Sequence, residues 1–163
     1  LNTAYTLAEL EYFIGDAEPS LIVCDPAREE GVRAIARGAH VATLDAAGRG
    51  GLTDAAAGQS GEIRDAERGP DDLAAILYTS GTTGRSKGAM LSHDNLASNS
   101  LALVDHWRFT RDDVLIHALP IFHTHGLFVA TNVILFAGAS MIFLPKLDAD
   151  AIMRVMPRAT SMM

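Results

Sequence analysis

Cysteine is almost missing from this chain, with Cys24 the only one in 163 residues. That excludes a disulfide framework within the chain and a cysteine-based zinc cluster, and makes a reducing, cytoplasmic setting the expected one. Positive charge is also scarce. Thirteen lysines and arginines stand against twenty aspartates and glutamates, a formal net charge of -7. The broad basic face that a nucleic-acid binder uses for counterion release is therefore not available. A single strongly charged ligand held by a few local donors remains compatible with this balance. The chain opens on Leu1 with neither an initiator methionine nor a basic leader, and after Arg158 it ends without a charged tail, so both ends read as cuts within a longer protein. No charge occurs between Gly126 and Leu144, a run approaching the length of a membrane-spanning helix. Thr131, Asn132, Gly138 and Ser140 interrupt it, and Gly138 stands where a helix would stop and a strand begin. The expectation is a buried helix, turn and strand, without stable membrane insertion.

Apolar residues are plentiful at 48% against 20% charged, which provides for a packed core and argues against disorder. Their spacing alternates between two periods. Thr6 and Glu9 have capping-box spacing ahead of Leu7, Leu10, Phe13 and Ile14, which share one helical face. Leu21 to Cys24 reads as a short buried strand, Ala27 to Arg37 as a weaker helix and Val41 to Leu44 as a second strand. From Asp45 to Asp72 no period is sustained, so this stretch is expected to be a surface connection with one short helix near Thr53 to Ala57. Leu73 to Tyr78 and Ala89 to Leu91 read as strands flanking a polar loop. A helix capped by Ser92 or Asp94 follows, with Leu96, Leu101, Leu103, Val104 and Trp107 expected in the core. Val114 to Leu119 is a strand stopped by Pro120. A helix is expected from about His125 to Phe136, a strand from Met141 to Leu144, and a helix from Ala149 to Met156 before Pro157. This alternation predicts a layered α/β fold with mainly parallel sheets, joined by right-handed crossovers, with ligands beyond the carboxyl ends of the strands.

The chemistry concentrates in Tyr78-Thr-Ser-Gly-Thr-Thr-Gly-Arg-Ser-Lys-Gly-Ala89. Gly81 and Gly84 let backbone N–H groups face inward as a nest for an anion. Thr79, Ser80, Thr82 and Thr83 add hydroxyl donors, and Lys87 adds a mobile point charge. A polyphosphate is the anion that uses so many donors along an extended surface. The plain alternative is a polar turn joining two strands of a hairpin. The Walker-type loop fails on three counts. Counting from Gly81, the sixth position is Ser86 and not glycine, Lys87 is followed by Gly88 and not by a hydroxyl, and a strand rather than a helix is expected next.

The run from Thr79 to Gly88 resembles the phosphate-binding signature of the adenylate-forming enzymes, the acyl-CoA synthetase and luciferase superfamily. Their pattern is Thr-Ser/Gly-Gly-Thr-Thr-Gly-x-Pro-Lys-Gly, and the one departure is Ser86 in place of proline. A second stretch, Pro120-Ile-Phe-His-Thr-His-Gly126, resembles the superfamily's aromatic-His-x-x-Gly segment, which lines the acyl pocket. A histidine beside an aromatic ring after a strand end can donate to a carboxylate or gate access. Beside the phosphate loop, His123 is expected to serve the pocket together with Thr124 and His125. A His-x-His pair without a third ligand does not make a zinc site. His40, His93, His106 and His117 are read as structural, and no role is given to Arg85. The texture of Ser86 to Ser100 and of Phe122 to Phe128 resembles the malonyl-CoA synthetases within the superfamily.

The resemblance implies a piece of the large amino-terminal domain of an adenylate-forming enzyme. Residues 1–44 would end a first α/β subdomain, 45–72 would connect, and 73–163 would hold the phosphate-loop region and the start of an incomplete acyl-pocket subdomain. It implies ATP, Mg²⁺ and coenzyme A as a co-substrate, with activation of a small carboxylic acid, malonate or methylmalonate, to the acyl-adenylate and transfer to the thiol. Lys87 and His123 would be the catalytic residues, and Thr79, Ser80, Gly81, Thr82, Thr83, Gly84 and Lys87 the phosphate ligands. His123, Thr124 and His125 would line the acyl pocket, and no residue here would hold the metal. The superfamily's Tyr-Gly-x-Thr-Glu segment, ribose aspartate and carboxyl-terminal catalytic lysine are not found in these residues, so the 163 residues alone are expected not to turn over. A non-catalytic nucleotide-binding fragment or an inactive truncated product is the competing expectation.

Overall fold

The computed structural model describes residues 1–79 and 86–163. They fall into two compact units, Leu1–Glu67 and Arg68–Met163.

In the first unit, helix α1 (Leu7–Ala17) begins at the capping box that the sequence announces. The Thr6 hydroxyl accepts from the Glu9 amide, and the Glu9 carboxylate accepts from the Thr6 amide at 2.8 Å. The Thr6 amide and, at 2.7 Å, the Thr6 hydroxyl both donate to the Glu9 carboxylate and hold it below the usual range. Leu10, Phe13 and Ile14 form its buried face. Strand β1 (Leu21–Cys24) pairs in parallel with β2 (His40–Thr43) across α2 (Glu29–Ile35), and Val32, Ala36 and Val41 close a small core over Ile22 and Cys24. Burial pushes the Cys24 thiol above its ordinary pKa. A short helix α3 (Gly51–Ala57) follows, and residues 58–67 are exposed and irregular.

The second unit opens with strands β3 (Leu73–Thr79) and β4 (Lys87–Ser92), which pair with each other in antiparallel register. Helix α4 (His93–Trp107) starts at a capping box made by Ser92 and Asn95. A three-stranded parallel sheet is then built in the order β6-β5-β7 from β5 (Val114–His117), β6 (Ser140–Phe143) and β7 (Ser161–Met162). A π-helix, His125–Thr131, runs directly into α5 (Asn132–Ala137), and α6 (Ala149–Val155) is capped by Asp148. Alternation along β5 sends neighbouring residues to opposite faces. Leu115 packs on Ala130 and Ile134, whereas Ile116 packs on Ile152 and Ala118. The sheet is thus covered on both sides, the αβα layering expected of a buried parallel strand.

Three details differ from the sequence expectation. The helix predicted from His125 to Phe136 is half π-helix, its wide first turns set by contacts described below. The two strands around the polar loop form an antiparallel hairpin, as in the plain reading of that loop, while the other two sheets are parallel. Trp107 and Leu101 are not core residues: they are 42% and 56% exposed, and the fully buried side chain of α4 is Ser100, whose hydroxyl donates to the Leu96 carbonyl. Helical period groups residues on a face but does not say what covers that face. Among the described residues no helix is long and apolar enough to cross a membrane, and Gly126–Leu144 is used as helix, turn and strand.

Candidate functional site

The hairpin places Thr79 and Lys87 directly opposite each other at its end, with the Thr79 hydroxyl 3.5 Å from the Lys87 carbonyl. Both residues are exposed, and Lys87 makes no ion pair among the described residues. The remaining expected phosphate ligands, Ser80, Gly81, Thr82, Thr83 and Gly84, lie outside the described residues. One step inward, Gly88 faces Tyr78 across the pair. A Cβ on Gly88 would meet Ile76 Cγ2 at 2.8 Å and Tyr78 Cε1 at 3.3 Å, so the strand closes over side chains that leave no room for a methyl group. We expect Gly88→Ala to lower stability by about 1–3 kcal/mol through overpacking, read as a lower unfolding midpoint of the full-length protein. An unchanged midpoint would mean that Ile76 and Tyr78 turn aside without cost.

The second candidate stretch leaves β5 at Pro120. His123, Thr124, His125 and Gly126 line one cavity of about 680 Å³ together with Trp107, Leu119, Pro120, Met162 and Met163. The three expected pocket residues are thus brought together, and all three side chains are exposed. The His123 ring lies 5.0 Å from the Phe122 ring, and its backbone is held in a turn, with the His123 amide donating to the Pro120 carbonyl at 3.2 Å and the Leu127 amide to the His123 carbonyl at 3.0 Å. Gly126 is buried where the chain doubles back, and a Cβ there would stand 2.4 Å from the Pro120 carbonyl oxygen. Only glycine allows that approach.

Two residues of this region were given no part in the site by the sequence, which expected Trp107 in the core and read His117 as structural. Trp107 lines the cavity instead of the core. His117, at the end of β5, is fully buried. Its Nε2 lies 2.8 Å from the Gly126 carbonyl oxygen, and its ring lies 4.6 Å from Phe143, its cross-strand partner. The signal was present in the strand period: 117 shares a face with Leu115, and a histidine on such a face needs a partner for its N–H. Among the described residues no group of three or more His, Cys, Asp or Glu could hold a metal ion.

Comparison with known proteins agrees along almost the whole length. The AMP-binding enzyme family model matches residues 1–162. The chain is 71% identical to MatB from Rhodopseudomonas palustris, solved with ATP bound, over 99% of this chain and 33% of that one, with a TM-score of 0.96. It is 36% identical to the mitochondrial malonate–CoA ligase of Bos taurus over 89% of this chain and 25% of that protein. It is also similar to a malonyl-CoA ligase solved as a product complex with methylmalonyl-CoA and AMP, at 30% identity over 98% of this chain and 32% of that one, TM-score 0.78. The chain spans about a quarter of the length of the curated relatives it matches.

Proposed function

The chain belongs to the AMP-binding enzyme family, and on that premise we propose that the full-length protein is an AMP-forming acid–thiol ligase for malonate or methylmalonate. The observation that carries this reading is the 71% identity, spread over 99% of the chain, with a protein solved with ATP bound. The names of two further relatives support the choice of acid. In this reading a substrate carboxylate oxygen attacks the α-phosphorus of ATP, and the bond to the bridging oxygen breaks as pyrophosphate leaves. The sulfur of coenzyme A then attacks the acyl carbon and AMP departs. The hydroxyls and backbone N–H groups of Thr79 to Gly84, with Lys87, would hold the β- and γ-phosphates and stabilise the charge that gathers on the leaving group. Fixed donors, not general-base chemistry, supply that gain. The family's Mg²⁺ would neutralise phosphate charge; the described residues hold no cluster that fits it.

Adenylation consumes one carboxylate of a diacid, and the other must meet donors or be left as an unpaired charge. Thr124, His123 and His125 stand in a cavity where such donors would be useful. A hydroxyl and two imidazoles supply no permanent positive charge, so a further arginine outside this chain is expected to complete the clamp. The expected result is that kcat/KM for malonate exceeds that for acetate and octanoate in the full-length protein, and that His123→Ala lowers the malonate value most. An octanoate value equal to or above that for malonate would remove the diacid reading while leaving the family assignment intact.

A further inference from the structure

Between Ile121 and Leu127 every residue is exposed except Gly126. The stretch that presents His123, Thr124 and His125 to the cavity therefore has one buried anchor, and two side chains from the protein interior converge on it. His117 Nε2 lies 2.8 Å from the Gly126 carbonyl oxygen, and Thr131 Oγ1 donates to the same oxygen at 3.0 Å. A carbonyl only accepts, so Nε2 carries the hydrogen of the first bond. Both side chains thus meet on one carbonyl oxygen. Thr131 lies five residues beyond Gly126 within the same π-helix, and its oxygen is also 3.3 Å from His117 Nε2. The other ring nitrogen, Nδ1, is buried and has no hydrogen-bond partner among the described residues. Burying that nitrogen unpaired costs stability, and a leucine of similar size would avoid the cost.

We infer that His117 is a positioning residue for the candidate acyl site: through its Nε2–H on the Gly126 carbonyl it sets where the His123–His125 turn stands relative to the sheet. The consequence for catalysis rests on the ligase reading above; the geometric part does not. Gly126 supplies the close approach to Pro120, β5 supplies the rigid base, and the imidazole joins them. His117 itself touches no substrate, because its ring is fully enclosed.

The test uses the full-length protein with His117→Leu, which removes the donor, and His117→Gln, whose carboxamide nitrogen reaches about as far as Nε2. Backbone hydrogen exchange is followed over residues 120–127 and, as a control, over α4 and β1. In His117→Leu, exchange at 120–127 should quicken about tenfold while the controls stay within about twofold, as for loss of one anchoring bond in a local opening unit. His117→Gln should return it to within about threefold of the parent protein. In steady-state kinetics the KM for the carboxylic acid should rise about tenfold in His117→Leu with the KM for ATP changed by less than about twofold, again restored by glutamine. Thr131→Val should be non-additive with His117→Leu, since both act on one carbonyl. If the leucine variant does not fold, His117→Asn replaces it, polar but too short to reach Gly126. Exchange at 120–127 equal to the parent rate overturns the inference. So does a glutamine variant no better than leucine, or a quickening spread evenly over Arg68–Met163, which marks general packing. A parent protein without acid-dependent pyrophosphate release defeats the ligase reading instead, and the exchange contrast still decides the role of His117.

Discussion

Replacing Lys87 by alanine in the full-length protein is expected to reduce acid-dependent pyrophosphate release at saturating ATP by about 10²- to 10³-fold, or roughly 3–4 kcal/mol of transition-state stabilisation. The argument starts from position. Lys87 is the first residue of β4, paired with Thr79 across the end of the hairpin, so its side chain leaves from the rigid base of the loop and not from its tip. Its side chain is exposed, and it forms no ion pair among the described residues. Folding therefore loses little when it is truncated, and the unfolding midpoint should stay within about 1 °C, as for surface substitutions away from caps and buried networks. A large rate loss with an unchanged midpoint is the signature of a charge that acts on the reaction. Arginine should restore only part of the rate, because its planar fork cannot place a point charge on the same phosphate oxygen. Pyrophosphate release in Lys87→Ala within about twofold of the parent value would remove the lysine from the mechanism.

Gly126→Ala is expected to have the other large effect, through a different cause. The added Cβ would stand 2.4 Å from the Pro120 carbonyl oxygen and 2.9 Å from its carbon. Both are backbone atoms, so no rotamer change relieves the clash and the turn from Leu119 to Gly126 must move as a whole. Overpacking of this kind costs about 1–3 kcal/mol and sometimes more. The displaced turn carries His123 and His125, and a shift of about 1 Å in a positioning group can cost 10²-fold in rate. The expected result is a lower unfolding midpoint together with a fall of about 10²-fold in kcat/KM for the acid, with ATP affinity retained. A variant with the parent's midpoint and kcat/KM would show that the Pro120–Gly126 approach is dispensable.

Elements whose signals are local were legible in the residues alone. The capping box at Thr6 and the cap at Ser92, one of the two residues expected there, each act within one turn, so they mark the starts of α1 and α4 in the residues themselves, whereas the Asp148 cap of α6 came from the structure. Strand β5 was legible because a run of apolar residues is stopped by Pro120, although the paired segment ends earlier, at His117. The two motif stretches were legible as well, since the residues from Thr79 to Gly84 and Lys87 each have a chemical reason in the sequence. Assignment of phosphate and acyl roles to their individual residues remains a proposal that the variants above test.

Composition and short-range pattern by themselves determined the α/β class, the start of most helices, the lack of a disulfide or basic surface, and membership in the AMP-binding family through its loop. These follow from interactions between residues a few positions apart, whose strengths depend on residue type and spacing. Only the tertiary structure decided that β3 pairs antiparallel with β4, because alternation selects the buried face of a strand but not its partner. The same limit explains Trp107, which shares an apolar stripe and yet lines a cavity, and Ser100, a polar residue fully buried on that helix. It also explains the π-helix and His117. The Gly126 carbonyl receives its two donors from nine residues before and five after, and the imidazole arrives there only because β5 is held between two layers. Contacts of that range are set by packing the whole unit at once, so the fold, and not the local sequence, placed the histidine against the turn.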